Sequence, residues 1–295
     1  MKLLEGKPAS QAIKDDLKNK VLQLKKQGKK VPHLVAVLVG NNGASETYVA
    51  SKVKNCEEIG FNSSLIRLSD STPESELLAL VKKLNNDSDI DGILVQLPLP
   101  KHISEEKVIN LIDPSKDVDG FNPTNIGKMV QGLRTFIPAT PYGILLLLEH
   151  YQIPTTGLNA VVIGRSNIVG RPVSILLSRN AYPGNCTVTL CHSHTKNLNE
   201  ICQRADLIIA ALGKPAFLKE DMVKNGAIII DVGITRIEDS TKKSGYAIKG
   251  DVDFENVAPK CSFISPVPGG VGLMTIAALL KNTYEACVNR LNGVV

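Results

Sequence analysis

Strand-like runs alternate with helix-like stretches from one end of this chain to the other, the sequence sign of parallel α/β architecture. The alternation comes in two sets. In the first, residues 34–39 form an apolar, β-branched run ending at Gly40, and a helix is expected over 45–59. A short strand at 65–68, a helix at 74–84, a strand at 90–97 and a helix at 104–112 follow. Pro98 and Pro100 close the third strand, because proline cannot continue a hydrogen-bonded ladder. Ser104 is placed to cap the next helix. In the second set, strands are expected at 159–163, 187–191, 207–211, 227–232 and 262–264, with helices at 172–179 and 198–205. Residues 234–250 read as a polar excursion or hairpin. A final helix carries Ile276, Leu279, Leu280, Cys287 and Leu291 at helical spacing.

Between the sets, residues 113–141 carry Pro114, Gly120, Pro123, Gly127, Gly132, Pro138 and Pro141. They read as an irregular loop leading to a domain boundary near 141, and long loops in compact domains are often functional. The 295 residues suffice for two domains. The expected division is residues 1–140, with the terminal helix 273–295 packing back on them, and residues 141–272. Each is an α/β domain, with a cleft expected between them.

Composition excludes several classes. With 43% hydrophobic and 21% charged residues the chain is globular rather than disordered. Aromatics are 4% and Trp is absent, which argues against a stacking platform for nucleic acid. No apolar stretch approaches the roughly 20 residues needed to span a membrane; the four leucines at 145–148 suit a buried helix. Residues 1–10 lack the apolar run of a signal peptide, and Glu5 interrupts them. None of the six cysteines forms a C-x-x-C pair. His192 and His194 beside Cys191 hint at a metal, but alternate residues along a strand end face opposite ways, so no metal is expected. The cysteines read as reduced thiols of a cytoplasmic protein. Much of the +5 net charge lies early, at Lys18, Lys20, Lys25, Lys26, Lys29 and Lys30. That run suits a solvated helix face and loop, or a surface attracting an anionic substrate.

One segment suggests a cofactor. In Val161-Val162-Ile163-Gly164-Arg165-Ser166-Asn167-Ile168-Val169-Gly170-Arg171-Pro172, a buried strand ends at a glycine and a second glycine opens a helix with Pro172 near its start. Backbone N–H groups at such a helix start hold phosphate, and the glycine admits a pyrophosphate. Ser166 stands where the second glycine of G-x-G-x-x-G would be, so an ordinary strand-to-helix turn fits the same letters. No acid stands about 20 residues on to bind a ribose 2′-hydroxyl, as NAD enzymes have. Arg165 and Ser193 are instead placed to receive a 2′-phosphate, which favours NADP.

A second group lies in the first set. Tyr48 and Lys52 are four apart on one helix and share a face beside the apolar stripe of Val49, Val53 and Cys56. They form either one side of a cleft or a lysine snorkelling over a packed tyrosine. Gln96 lies at the C-terminal end of a strand, where open α/β sheets place ligands, or where a polar group simply meets backbone. Asp119, in Lys116-Asp117-Val118-Asp119-Gly120, is either a ligand or turn chemistry before a glycine.

Taken together these segments resemble the bifunctional methylenetetrahydrofolate dehydrogenase/methenyltetrahydrofolate cyclohydrolase (FolD) family. The matching stretches are Tyr48-Val49-Ala50-Ser51-Lys52, Gly92-Ile93-Leu94-Val95-Gln96-Leu97-Pro98-Leu99-Pro100, Lys116-Asp117-Val118-Asp119-Gly120, Gly164-Arg165-Ser166, Cys191-His192-Ser193, Asp231-Val232-Gly233-Ile234 and Pro266-Val267-Pro268-Gly269-Gly270-Val271-Gly272. They stand in the family's order and cover nearly the whole chain. Departures are Leu273 for a usual proline, Asn122 for a frequent histidine, His194 for a common lysine, and a small insertion at 182–185.

The resemblance implies oxidation of 5,10-methylenetetrahydrofolate with NADP, then hydrolysis of the methenyl product to 10-formyltetrahydrofolate, in one-carbon metabolism and purine biosynthesis. It implies a folate-binding domain followed by a Rossmann-like NADP domain, in a cytoplasmic homodimer acting on folate, polyglutamylated forms included. It assigns water addition to Lys52, tuning of that lysine to Gln96, and orientation of the folate to Tyr48. Asp119 would anchor the pterin, and Pro268 and Gly269 would line the folate site. Gly164, Arg165, Ser166, Ser193 and Ile234 would meet the cofactor. The rival readings are a shikimate-type dehydrogenase and a non-catalytic binding module.

Overall fold

The computed structural model describes residues 1–41, 43–242 and 245–293, and for Ala44 the backbone alone. In chain order the first elements are β1 (Lys2–Leu3), α1 (Gly6–Lys26), β2 (His33–Val39), α2 (Gly43–Ile59), β3 (Asn62–Leu68), α3 (Glu74–Asn86), β4 (Gly92–Val95), α4 (Glu105–Leu111), α5 (Pro123–Val130) and α6 (Ala139–His150). Then come β5 (Asn159–Ile163), α7 (Gly170–Ser178), β6 (Thr187–Cys191), α8 (Leu198–Gln203), β7 (Leu207–Ala210), β8 (Ala227–Asp231), β9 (Thr235–Glu238), β10 (Tyr246–Lys249), α9 (Phe254–Val257), β11 (Cys261–Ile264) and α10 (Val271–Leu291). Two compact units emerge, one of Ala12–Ala139 with Ile276–Val295, the other of Met1–Gln11 with Thr140–Thr275.

The first unit is built on a three-stranded parallel sheet in the order β3-β2-β4. Its central strand β2 is buried on both faces, which is why it reads as one apolar run. The strand period of two sorts its side chains. Leu34, Ala36 and Leu38 pack with Leu17 and Val21 of α1, Val49 and Cys56 of α2, and Ile276, Leu279 and Leu280 of α10. Val35, Val37 and Val39 pack with Leu77 and Val81 of α3 and Val108 of α4. Ser104 caps α4 as expected, its side chain accepting from the Lys107 N–H at 3.3 Å. Val294 and Val295, at the end of the expected last helix, lie outside the described residues.

The expected loop at 113–141 contains a helix. α5 starts at Asn122, whose side chain accepts from the Thr124 N–H, with Pro123 at the first helical position. That Asn-Pro pair is a helix-start signal, hidden by the density of prolines and glycines around it.

The second unit carries a six-stranded parallel sheet in the order β1-β11-β8-β7-β5-β6. The chain leaves β5 to one side for β6 and returns on the other for β7, so the strand order reverses at β5. Lys2 and Leu3 pair with Phe263 and Ile264, and the Gly6 N–H donates to the Gly269 carbonyl at 2.7 Å. The first eleven residues therefore join this unit rather than the one that follows them in sequence; a two-residue strand leaves no periodicity from which to read this. The leucines at 145–148 are buried in α6. Residues 234–250 form the β9–β10 hairpin, antiparallel from Thr235↔Lys249 to Glu238↔Tyr246; Lys243 and Ser244 lie outside the described residues. Among the described residues no helix is long and apolar enough to cross a membrane.

Candidate active site

α2 sets Tyr48, Lys52 and Cys56 at successive turns. Cys56 is fully buried and Tyr48 packs against the same core. Lys52 lies between them and is only 4% exposed, so it does not snorkel. Its Nζ stands 4.7 Å from the centroid of the Tyr48 ring and donates to Gln96 Oε1 at 3.2 Å. Gln96 directly follows β4. Its backbone N–H donates to the Val37 carbonyl at 2.9 Å, and its Nε2 donates to the Leu97 carbonyl at 2.7 Å. With the amide nitrogen committed there, the amide oxygen faces the lysine.

Asp119 reaches the same end of the sheet by a route absent from the sequence pattern. Residue 117 bridges Ile93 in parallel, and the Ile93 N–H donates to the Lys116 carbonyl at 2.8 Å. Two residues on, Asp119 shares the lining of a small cavity with Val95 and Leu97, and its charge acts on Lys52. Asp117 makes the turn, accepting from the Asn122 N–H at 2.7 Å and Asn125 Nδ2 at 2.9 Å. Burial pushes the Asp117 carboxyl up to about 6, and those hydrogen bonds oppose the rise. Gly120 follows with φ +74, where a Cβ would stand 2.6 Å from the Pro138 nitrogen. Turn chemistry therefore belongs to Asp117 and Gly120.

Burial drives Lys52 and Asp119 toward their neutral forms. It lowers the amine below the ordinary lysine value, against the charges of Asp119 and then Cys56. It raises the Asp119 carboxyl, against the charge of Lys52. Desolvation outweighs attraction for both. The face of the Tyr48 ring favours the ammonium and so opposes the fall.

In the other unit, the ends of β5, β6 and β7 converge on a cavity of about 450 Å³. This is where a reversal of strand order opens a crevice. Gly164 has φ +117, and its N–H donates to the Cys191 carbonyl at 2.9 Å. A Cβ on Gly164 would overlap the Ala211 carbonyl oxygen, and one on Gly170 would overlap the Gly164 carbonyl oxygen. Ser166 Oγ accepts from the N–H groups of Val169 and Gly170 at 3.2 and 3.3 Å, holding the start of α7. Arg165, Ser166 and Ser193 all line the cavity, as do His192, Lys214 and Phe217, and none of its lining residues is acidic. Burial and the charges of Arg165 and His194 hold the His192 imidazole below its usual value. A glycine cradle closed to any side chain, with a basic lining, fits a phosphorylated dinucleotide.

The remaining expectations fall elsewhere. Ile234 follows β8, is 60% exposed and does not line this cavity. Pro268 and Gly269 are exposed after β11, in the same unit as the cavity and not in the unit of Lys52. Cys191 is buried in the core, and the rings of His192 and His194 lie 6.0 Å apart. Among the described residues no three His, Cys, Asp or Glu gather as metal ligands. His192 and Lys214 also line the cavity, outside the expected set; the signal available for Lys214 was its place just past the turn at Gly213 that follows β7.

The family described as tetrahydrofolate dehydrogenase/cyclohydrolase, catalytic domain, matches residues 4–119, and its NAD(P)-binding domain matches residues 138–291. The bifunctional protein FolD of Flavobacterium johnsoniae is 62% identical over 286 residues, 97% of each chain. The crystal structure of the bifunctional enzyme FolD from Campylobacter jejuni superposes with a TM-score of 0.92 at 49% identity, covering 98% of this chain and 99% of that one. The Trypanosoma brucei methylenetetrahydrofolate dehydrogenase-cyclohydrolase, solved with NADP cofactor and inhibitor, gives 0.92 at 32% identity over 97% of each. With both of its domain models matched in order and nearly all of its length shared with such relatives, the chain belongs to the tetrahydrofolate dehydrogenase/cyclohydrolase family.

Proposed function

We propose that this chain oxidises 5,10-methylenetetrahydrofolate with NADP⁺ and hydrolyses the 5,10-methenyl product to 10-formyltetrahydrofolate, with Lys52 as the proton-handling group of the second step. The observation that carries this reading is the buried Lys52 amine, lowered by desolvation and held by the Gln96 amide oxygen. A free lysine, with a pKa of about 10.4, is protonated at neutral pH and cannot take a proton. A buried one is a usable base. Water adding to the methenyl carbon gives one proton to Lys52; as the ring C–N bond breaks, Lys52 returns that proton to the departing nitrogen, the hydroxyl proton is released as the formyl C=O forms, and the formyl group stays on the other nitrogen. Asp119 anchors the pterin by accepting from its amino and ring N–H groups, and the Tyr48 ring orients it. Pro268 and Gly269 contribute to the folate site and Ile234 to the cofactor site.

The nicotinamide of bound NADP⁺ supplies the hydride acceptor. Gly164 admits the pyrophosphate, with Ser166 beside it, and Arg165 with Ser193 takes the 2′-phosphate. The basic lining without a carboxylate supports NADP over NAD. The setting is cytoplasmic, in one-carbon supply to purine biosynthesis, and the assembly is a homodimer acting on polyglutamylated folates. The six free, buried cysteines suit a reducing compartment.

A spectrophotometric assay tests the reading. Methylenetetrahydrofolate with NADP⁺ yields NADPH and a transient methenyl absorbance; turnover of shikimate instead, or of neither substrate, overturns it. In the same assay Arg165→Ala raises the KM for NADP about 10- to 150-fold, the worth of one hydrogen bond to a charged group, and moves that for NAD less than about twofold. Equal rises for both cofactors would count against a 2′-phosphate contact. Asp119→Asn removes a charge that favours the Lys52 ammonium. At saturating folate, the pH below which hydrolysis fades therefore moves down; an upward move contradicts Lys52 as the base.

A further inference from the structure

Two buried carboxylates stand behind the dinucleotide cavity without lining it. Asp231, the last residue of β8, is 2% exposed, and Asp251 is 0% exposed. Asp231 accepts from the Gly233 and Asp251 N–H groups through Oδ1, both at 2.9 Å, and from the Val252 N–H through Oδ2 at 3.0 Å. Asp251 in turn accepts through Oδ2 from the Leu212 N–H at 2.6 Å and the Gly213 N–H at 2.9 Å. The same short stretch fastens the rest of that loop: the Ala216 N–H donates to the Gly250 carbonyl at 3.0 Å and the Leu218 N–H to the Asp251 carbonyl at 2.9 Å. Gly233 and Gly250 leave the space, since a Cβ on either would overlap one of the two carboxylates.

Burying an ionisable group costs several kcal/mol even when it is hydrogen-bonded; Asp251 bears that cost with its Oδ1 lacking a hydrogen-bond partner, and a turn alone needs no charge. What these carboxylates hold is the segment following β7, whose Leu212, Lys214 and Phe217 line the cavity together with Gly164, Arg165 and Ser166. Ala211, where the segment begins, is also the residue whose carbonyl closes over Gly164.

We propose that Asp251 is a positioning residue for dinucleotide binding: its buried carboxylate fixes the backbone at Leu212 and Gly213, and through it the wall of the cavity that carries Lys214 and Phe217. This rests on the reading of that cavity as the NADP site. Asp231 acts one step further back, by holding the 251–252 backbone that carries Asp251.

The test compares Asp251→Ala with Asp251→Asn in the full-length protein, reading the KM for NADP, NADPH affinity by its fluorescence, and methenyl hydrolysis, which needs no dinucleotide. Asp251→Asn keeps an oxygen to accept from Leu212 and Gly213 and stays within about threefold of the parent in all three. Asp251→Ala raises the KM for NADP and the NADPH dissociation constant by about tenfold or more, as misplaced binding groups do, with hydrolysis within about twofold. Should Asp251→Ala fail to fold, Asp251→Ser, too short to reach both N–H groups, is read the same way. An unchanged KM for NADP in the variant overturns the proposal, as does a parallel loss of both activities. A parent protein with no use for NADP would instead overturn the cofactor reading itself.

Discussion

Lys52→Met abolishes methenyl hydrolysis while folate and NADP binding remain measurable. Removing a general base costs typically about 10²- to 10⁴-fold, and neither of these neighbours replaces it: Gln96 is an amide, and the Cys56 thiol is pushed up to about 12 by burial. Methionine fills a similar volume without a charge, and replacing a buried charge by an apolar group is often neutral or stabilising. Against that, Gln96 Oε1 loses its donor, worth about 1–3 kcal/mol. The thermal midpoint therefore moves little, and the lost activity is chemical. Hydrolysis at the parent rate in this variant would remove Lys52 from the mechanism.

Gly164→Ala removes NADP-dependent oxidation. The new methyl overlaps the Ala211 carbonyl oxygen, and that residue cannot retreat cheaply because its N–H donates to the Ile163 carbonyl at 2.9 Å. A side chain at φ +117 adds strain of about 1–3 kcal/mol, and overpacking adds a similar amount. The ends of β5 and β7 must part, and the cavity between them deforms. The KM for NADP rises by about 10² or more. Methenyl hydrolysis persists, since Lys52, Gln96 and Asp119 belong to the other unit. A variant that binds NADP like the parent would show that the glycine serves the turn alone.

How far the sequence reaches follows from what each residue reports. Of the strands that carry the two sites, β2, β4, β5 and β7 are buried on both faces, and such runs are legible without context; β6 is half-exposed. Tyr48 and Lys52 declared a shared face by spacing, but burial was needed to separate a lowered amine from a snorkelling one. Asp119 was legible as a motif and illegible as geometry, since the bridge that carries it alongside β4 is one residue pair long. β1 left no pattern because it is two residues of pairing supplied by a partner strand some 260 positions away. Asp251 went unread because a buried acid looks like a surface one until its surroundings are known. His192 and Lys214 belong to the cavity because three strand ends meet there, which is a property of the sheet order and not of any one segment.

The committed amide of Gln96 has a consequence for the lone pair of Lys52. A neutral amine keeps two hydrogens and one lone pair, and an amide oxygen engages only a hydrogen. Gln96 therefore acts as a rotational stop: it holds one N–H of the lysine in either protonation state and turns the basic electron pair away from itself. The contact survives each proton gained or lost, so in the proposed hydrolysis the lysine re-arms without its side chain having to find its place again.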